Sequence, residues 1–301
     1  MNNLWRSVSA LAAVIVLSAC LDAQSGPRFD GQQAYEHVRA MVALGPRPAG
    51  SAALGKTRDY IKKELSAAGL KVEEQAFEAS TPAGPIKMVN LRAMVGGPSN
   101  AKRIIVAGHY DTKLFKNVKF VGANDGGSSA ALLIELGRAL AGAPLATPIE
   151  LLFLDGEEAV RTEWQDPDNR YGSRFYVNAA RKDGTLGNIQ ALVLVDMIGD
   201  RDLRIKREAL STAWLTDVIW GVAAGLGHPQ FVNEETEVID DHLIFLEAGV
   251  PAVDLIDFEY PAWHTPADTL DKVSAASLQV VGDVALASLR AIEKRISERG
   301  R

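Results

Sequence analysis

A single cysteine, Cys20, leaves the chain unable to form an internal disulfide, so the fold must rest on its packed core. Positive charge is not in excess: 32 Lys and Arg face 38 Asp and Glu, for a net charge of -6. No Lys/Arg stripe stands out, which argues against a nucleic-acid partner. The N-terminal apolar run Val8–Leu17 falls short of the ~20 residues that a membrane span needs. No internal repeat, low-complexity tract or convincing linker interrupts the chain. What is present is ordinary for a soluble globular protein: 47% apolar and 23% charged residues over 301 positions, which excludes a disordered or collagen-like chain.

Residues 1–19 read as a lipoprotein signal peptide. Arg6 supplies a positive n-region, Val8–Leu17 an apolar h-region, and Leu17-Ser18-Ala19-Cys20 resembles the lipobox of bacterial lipoproteins. The expectation is cleavage before Cys20 and a lipid on that residue as the only membrane attachment. Residues 20–29 then form a tether and 30–301 a single working domain. Leu21, rather than Asp, after the cysteine favours the outer membrane, so the expected location is the periplasm or cell envelope.

Apolar periodicity predicts helices over 31–44, 52–68, 128–140, 170–180, 211–226, 240–248 and 275–296. Strands are predicted over 72–77, 88–95, 104–107, 149–154, 191–195 and 252–256. Those at 104–107, 149–154 and 191–195 are continuous apolar runs, as expected of strands covered on both faces. The alternation implies a three-layer α/β/α sandwich with a mixed, mainly parallel central sheet. His37 and His228 have no informative setting and read as surface residues.

The informative feature is how the apolar runs end. Leu151-Leu152-Phe153-Leu154 passes through Asp155-Gly156 into Glu157-Glu158. The run from Arg103 leads to His109 and Asp111, that from Ala191 to Asp196, and that from Ala252 to Trp263 and His264. Asp125 lies on a glycine-rich loop between the first two endings in the chain, His109/Asp111 and Glu157/Glu158. The carboxyl edge of an open α/β sheet is where ligands bind, and His, Asp and Glu are the side chains that hold zinc. Plainer readings exist for each. His109 can be a satisfied polar group at a strand end, with Asp111 orienting its ring. The loop Gly122–Ser128 can be a helix cap or a phosphate cradle, although it lacks a P-loop lysine and the dinucleotide spacing. Asp196 can serve a salt bridge, and Asp240-Asp241-His242 can open a helix. Glu157-Glu158 resists a surface reading, because it follows a buried run. Adjacent side chains diverge, so one carboxylate can bind metal while the other moves protons.

Together these motifs resemble the co-catalytic zinc aminopeptidase family and its glutaminyl-peptide cyclotransferase (glutaminyl cyclase) branch. His109-Tyr110-Asp111, Gly122-Ala123-Asn124-Asp125, Glu157-Glu158, Asp196, Asp241-His242 and His264-Thr265-Pro266-Ala267-Asp268-Thr269 stand in the family's order. The cyclase branch is the nearer match, through Lys113, Trp164, Tyr171-Gly172-Ser173-Arg174, Asp240-Asp241-His242 and Trp263-His264-Thr265. That resemblance implies one zinc held by Asp125, Glu158 and His264, and Glu157, Asp196 and Asp241 as the catalytic acids. Trp164, Trp263 and Lys113 would contact substrate. The implied reaction closes an N-terminal glutamine of a peptide or protein to pyroglutamate and releases ammonia, in an expected monomer. The alternative is an aminopeptidase with two zinc ions bridged by Asp125, one bound by His109 and Asp196, the other by Glu158 and His264. All five of its ligands are present, so ligand identity does not decide. An inactive binding module should have lost ligands or the base, and this chain keeps them.

Overall fold

Along Arg103–His109 (β3), successive side chains alternate between two apolar clusters: Ile104 and Val106 join one, Ile105 and Ala107 the other. Ile149–Leu154 (β4) does the same, with Leu151 and Phe153 opposite Leu152 and Leu154. So does Ile189–Asp196 (β5), with Val193 and Val195 opposite Leu192 and Leu194. Strand side chains point to alternate faces, so strands buried on both must lie between two layers.

The computed structural model describes residues 26–98 and 100–299 and has this architecture. Residues 1–19, where a signal peptide is expected, and the Cys20 motif lie outside the described residues. Val72–Thr81 (β1), Gly84–Val95 (β2) and Ala252–Ile256 (β8) complete a six-stranded sheet in the order β1-β2-β4-β3-β5-β8. The β1–β2 and β2–β4 pairs are antiparallel, and the three pairs from β4 to β8 are parallel. Helices Gly31–Val42 (α1), Ala52–Ala67 (α2), Gly127–Leu140 (α3), Ala213–Leu226 (α5) and Ala275–Arg299 (α7) share the larger apolar cluster on one face. Tyr171–Lys182 (α4) and His242–Glu247 (α6) cover the other. By length and composition α7 could cross a membrane, but half of its most apolar stretch is buried inside the protein.

The sheet also holds a buried carboxylate with a full set of partners. Glu150 is fully buried, yet its carboxylate accepts from Arg103, from Arg92 Nε at 2.5 Å and from the Tyr176 hydroxyl at 2.8 Å. Such satisfaction is what makes a buried ion tolerable.

Two strands were not expected from sequence: Ile205–Glu208 (β6) and Phe231–Thr236 (β7) form a separate parallel pair. The histidines set aside as surface residues are both half-buried. His37 Nδ1 is 2.7 Å from the Tyr60 hydroxyl, and His228 is 4.0 Å from Asp283.

The topology positions the site. The chain leaves β3, crosses through α3 to β4 on one side, then crosses through α4 to β5 on the other side of β3. This reversal opens a crevice at the carboxyl ends of the parallel strands, the usual place for a ligand in such sheets.

Candidate active site

Each loop leaving that edge carries a functional side chain, and each is tied to its neighbours. Asp111, just past β3, accepts the backbone N–H of Glu157 at 3.2 Å and of Glu158 at 3.4 Å. The exit of β3 thus fixes the turn after β4. That turn pivots on Gly156, whose φ of 70° and 2.5 Å approach of any Cβ to the Met88 sulfur leave no room for a side chain.

The Asp125 loop is held from the far end of the chain. Asp268 accepts the N–H of Asn124 at 2.8 Å and of Asp125 at 3.1 Å, while the Tyr260 hydroxyl donates to Asp268 at 2.8 Å. Gly126 follows with a φ of 75°, and a Cβ there would lie 2.3 Å from the Asp111 carbonyl oxygen. Gly126 is itself the N-cap of α3, and no side chain caps that helix. The capping role considered for Asp125 and Ser128 is therefore absent, and the Asp125 carboxylate faces the crevice. The same holds at α6, which starts without a side-chain cap.

Two overlapping ligand clusters result. Asp125, Glu158 and His264 form one, and His109, Asp125 and Asp196 the other, with the ligand atoms of each within 4.8 Å of one another. His264 Nε2 is 3.1 Å from Glu158 Oε1 and 3.4 Å from Asp125 Oδ2. His109 Nε2 is 3.1 Å from Asp196 Oδ1 and 3.2 Å from Asp125 Oδ1. Trp263 stacks on the His264 ring at 4.4 Å, and Phe115 and Phe120 meet it edge-on at 5.8 Å. His264 also has a φ of 52°, a conformation that costs a non-glycine residue energy and is concentrated at functional positions.

These residues fit a bound cation. Asp125 Oδ2 and Glu158 Oε2 are buried and have no hydrogen-bond partner among the described residues. A buried carboxylate oxygen left so is costly unless a metal or proton satisfies it. The donor set, two carboxylates and an imidazole, is of the zinc-binding kind.

A cavity of about 400 Å³ opens over the clusters. Glu157, Glu158, Asp125, Asp196 and His264 line it, as do Trp164, Trp263 and Lys113. Lys113 is buried, and its ammonium donates to the Ala159 carbonyl at 2.8 Å and stands 3.9 Å from Glu158. Asp241 does not line the cavity. It is 1% exposed and accepts the Ser173 hydroxyl, while its neighbour Asp240 occupies the cavity wall. His242 turns away, with Nε2 3.1 Å from Glu208. Asp240 and Asp268 were named from sequence only as members of longer motifs, and neither their roles nor the bracing of the Glu157 turn by Asp111 was foreseen.

The cavity holds more acid than base. Burial, with Glu158, Asp240 and Asp241 adding, pushes Glu157 well above the usual carboxylate range despite the opposing His109. Burial likewise raises Asp125 to about 6, helped by Glu158. For His109, burial disfavours the cation, but Glu157, Asp196, Asp111 and Asp125 outweigh it and hold the ring well above its ordinary value. His264 is raised in the same way by Glu158 and Asp125.

Asp240 and Asp241 give a pH test. Burial, then Asp196 and Asp241, raises Asp240 from 3.8 to about 7; burial raises Asp241 to about 6, against the pull of Ser173. A folded-state value above the unfolded one favours the fold while the group is protonated in the native state. That contribution is full below about pH 4 and is lost as pH rises through about 6 to 7. The metal-free protein is therefore expected to melt lower at pH 8 than at pH 5, by roughly 2–4 °C for each kcal/mol lost. Asp240→Asn, which keeps the acceptor for Asp241 N–H, should flatten the slope. Melting curves across pH check this, and an unchanged slope in the variant would refute it.

A mixed α/β sheet with a carboxylate- and histidine-lined crevice at its switch point is the architecture of an α/β enzyme with the ligand set for a metal ion. Residues 90–289 match peptidase family M28. The chain is 41% identical to an Acidobacteriales bacterium glutaminyl cyclase of known structure, with a TM-score of 0.84, covering 96% of this chain and 100% of that one. It is 35% identical to the Mus musculus glutaminyl-peptide cyclotransferase-like protein over 74% of this chain and 66% of the relative, so it spans about two thirds of that protein. A Zn-dependent exopeptidase from Parabacteroides distasonis shares the fold at a TM-score of 0.80 and 25% identity, covering 88% of this chain and 99% of that one. The chain belongs to peptidase family M28 and, within it, groups with the glutaminyl cyclases.

Proposed function

We propose that this enzyme closes the N-terminal glutamine of a peptide to pyroglutamate and releases ammonia. The observation that carries the proposal is the 41% identity to a glutaminyl cyclase over 96% of the chain. The geometry supports it: an enclosed acid, Glu157, shares a tryptophan-walled cavity with a metal-ligand cluster but belongs to neither cluster.

Asp125, Glu158 and His264 would hold one zinc ion, which when bound supplies Lewis-acid polarisation of an amide carbonyl. The substrate's α-amine attacks the carbonyl carbon of the side-chain amide, Cδ; a C–N bond forms, the bond from Cδ to the side-chain nitrogen breaks, and ammonia departs. Glu157 takes a proton from the amine and returns one to the leaving nitrogen. Burial and the neighbouring acids raise its proton affinity, which makes it a stronger acceptor for the amine's proton than a solvated carboxylate. Asp240, on the cavity wall, and Asp241 behind it oppose a negative charge on Glu157, while Asp196 stands against His109. Trp164 and Trp263 enclose the glutamine side chain, holding amine and carbonyl together and keeping out the water that would hydrolyse the amide instead. Lys113 steadies Glu158 and the Ala159 backbone. The proposal extends to location: the leader and the Cys20 motif support a lipid-anchored protein of the cell envelope acting on peptide N-termini.

A two-zinc aminopeptidase is the second reading, favoured by the His109–Asp125–Asp196 cluster. Against it, Asp196 Oδ1 already accepts the Met197 N–H at 2.8 Å as well as its contact to His109, whereas Glu158, which belongs to the Asp125–Glu158–His264 cluster alone, keeps an unpartnered buried oxygen. The zinc-loaded protein should release ammonia from a Gln-initiated peptide, produce no free glutamine, and leave Leu- and Ala-anilides intact. Anilide cleavage without ring closure, with two zinc ions needed for activity, would replace this reading with the other.

A further inference from the structure

We propose that the cleft adjoining the catalytic cavity seats the second to fourth residues of the substrate peptide and favours an acidic side chain there. The inference rests on the cyclase reading and specifies which peptides that site prefers.

A peptide whose first residue fills the catalytic cavity must leave it through a neighbouring groove. A cleft of about 610 Å³ meets the cavity at Thr162, which lines both. One wall of the cleft runs from Leu114 to Val118 and includes Phe115, the residue whose ring abuts His264. The opposite wall is Val160–Glu163, which continues directly from the Glu157-Glu158 turn. Both walls therefore spring from site residues. The large cleft on the other side, around Asp200 and Tyr260, shares no lining residue with the catalytic cavity. Three extended residues span about 10 Å, enough to cross from the cavity into the first cleft.

The chemistry of this cleft differs from that of the cavity it joins. Lys116 and Arg161 line it, both are exposed, and neither forms an ion pair with any described residue. Glu163 is the single acid in the lining, so the cleft carries a net positive charge in a protein whose overall charge is -6. The catalytic cavity is acidic and repels a second carboxylate; the cleft is where one would be attracted. Leu114, 53% exposed, and Val118, 38% exposed, offer apolar surface for the methylenes of such a side chain.

The test compares Gln-Ala-Ala-Ala-amide with tetrapeptides carrying Glu or Lys at position two, three or four, and with glutamine anilide, which has no residue to place in the cleft. An acidic residue should raise kcat/KM by about 2–5-fold through KM, the range of an exposed ion pair. The gain should vanish at 1 M salt, where screening acts within about 3 Å. Lys116→Glu combined with Arg161→Glu should invert the preference to lysine and leave glutamine anilide turnover unchanged. Turnover of the anilide with no acidic preference in the wild type, or a preference that survives charge reversal, overturns the cleft assignment alone. Failure to turn over glutamine anilide and every tetrapeptide overturns the cyclase reading together with it.

Discussion

Glu157→Gln should lower ring closure by about 10²–10⁴-fold, the usual contribution of a positioned proton-transfer group, while zinc content and fold stay intact. Glutamine has the shape of glutamate and can neither take the amine proton nor return it. Glu157 lies outside both ligand clusters, so its loss removes no metal ligand. The turn that carries it is held by Asp111 through the backbone N–H groups, which the substitution leaves untouched. Stability should not suffer either. Burial and the neighbouring acids already favour the uncharged form of Glu157, and an uncharged amide removes their repulsion. Steady-state kinetics with metal analysis check both halves. Full activity would remove Glu157 from the reaction, and loss of zinc would make it a ligand rather than an acid–base group.

The parts of this site that were legible in the sequence share one cause. Ile104–Ala107, Leu151–Leu154 and Leu192–Val195 are apolar without interruption because both faces of each strand are covered. A charged residue just beyond such a run has to sit at the sheet edge, which is why His109, Glu157, Glu158 and Asp196 could be picked out and why they meet. The parts that were hidden have another. In the β6–β7 pair, Ile205-Lys206-Arg207-Glu208 and Phe231-Val232-Asn233-Glu234-Glu235-Thr236 are short and largely charged, with few buried positions, so no period marks them as strands. Asp240 and Asp241 look equivalent on paper. Only the approach to α6 decides that the first faces the cavity and the second faces Ser173. Asp268 works through contacts 143 and 144 residues away in the chain, a separation at which local patterning carries no signal.

Asp125→Ala should have the other large effect, because Asp125 is the one residue common to both clusters. Zinc binding should fall so far that activity drops to background and zinc no longer raises the melting temperature. A ligand held at 1,000 times its Kd stabilises a protein by about 4 kcal/mol, so the wild type should gain roughly 8–16 °C under those conditions. The metal-free variant should nonetheless melt no lower than metal-free wild type. Its missing carboxylate is one whose burial and proximity to Glu158 oppose ionisation, and the Asp268 bond to the residue 125 N–H survives the change. The result therefore separates a metal ligand from a structural acid: a structural acid lost from the core lowers the metal-free melting point. His109→Ala supplies the contrast. If one zinc lies on Asp125, Glu158 and His264, this variant keeps one equivalent and the zinc-dependent rise in melting temperature. A fall from two equivalents to one would instead assign His109 to a second ion, and with it the hydrolytic chemistry of the aminopeptidases.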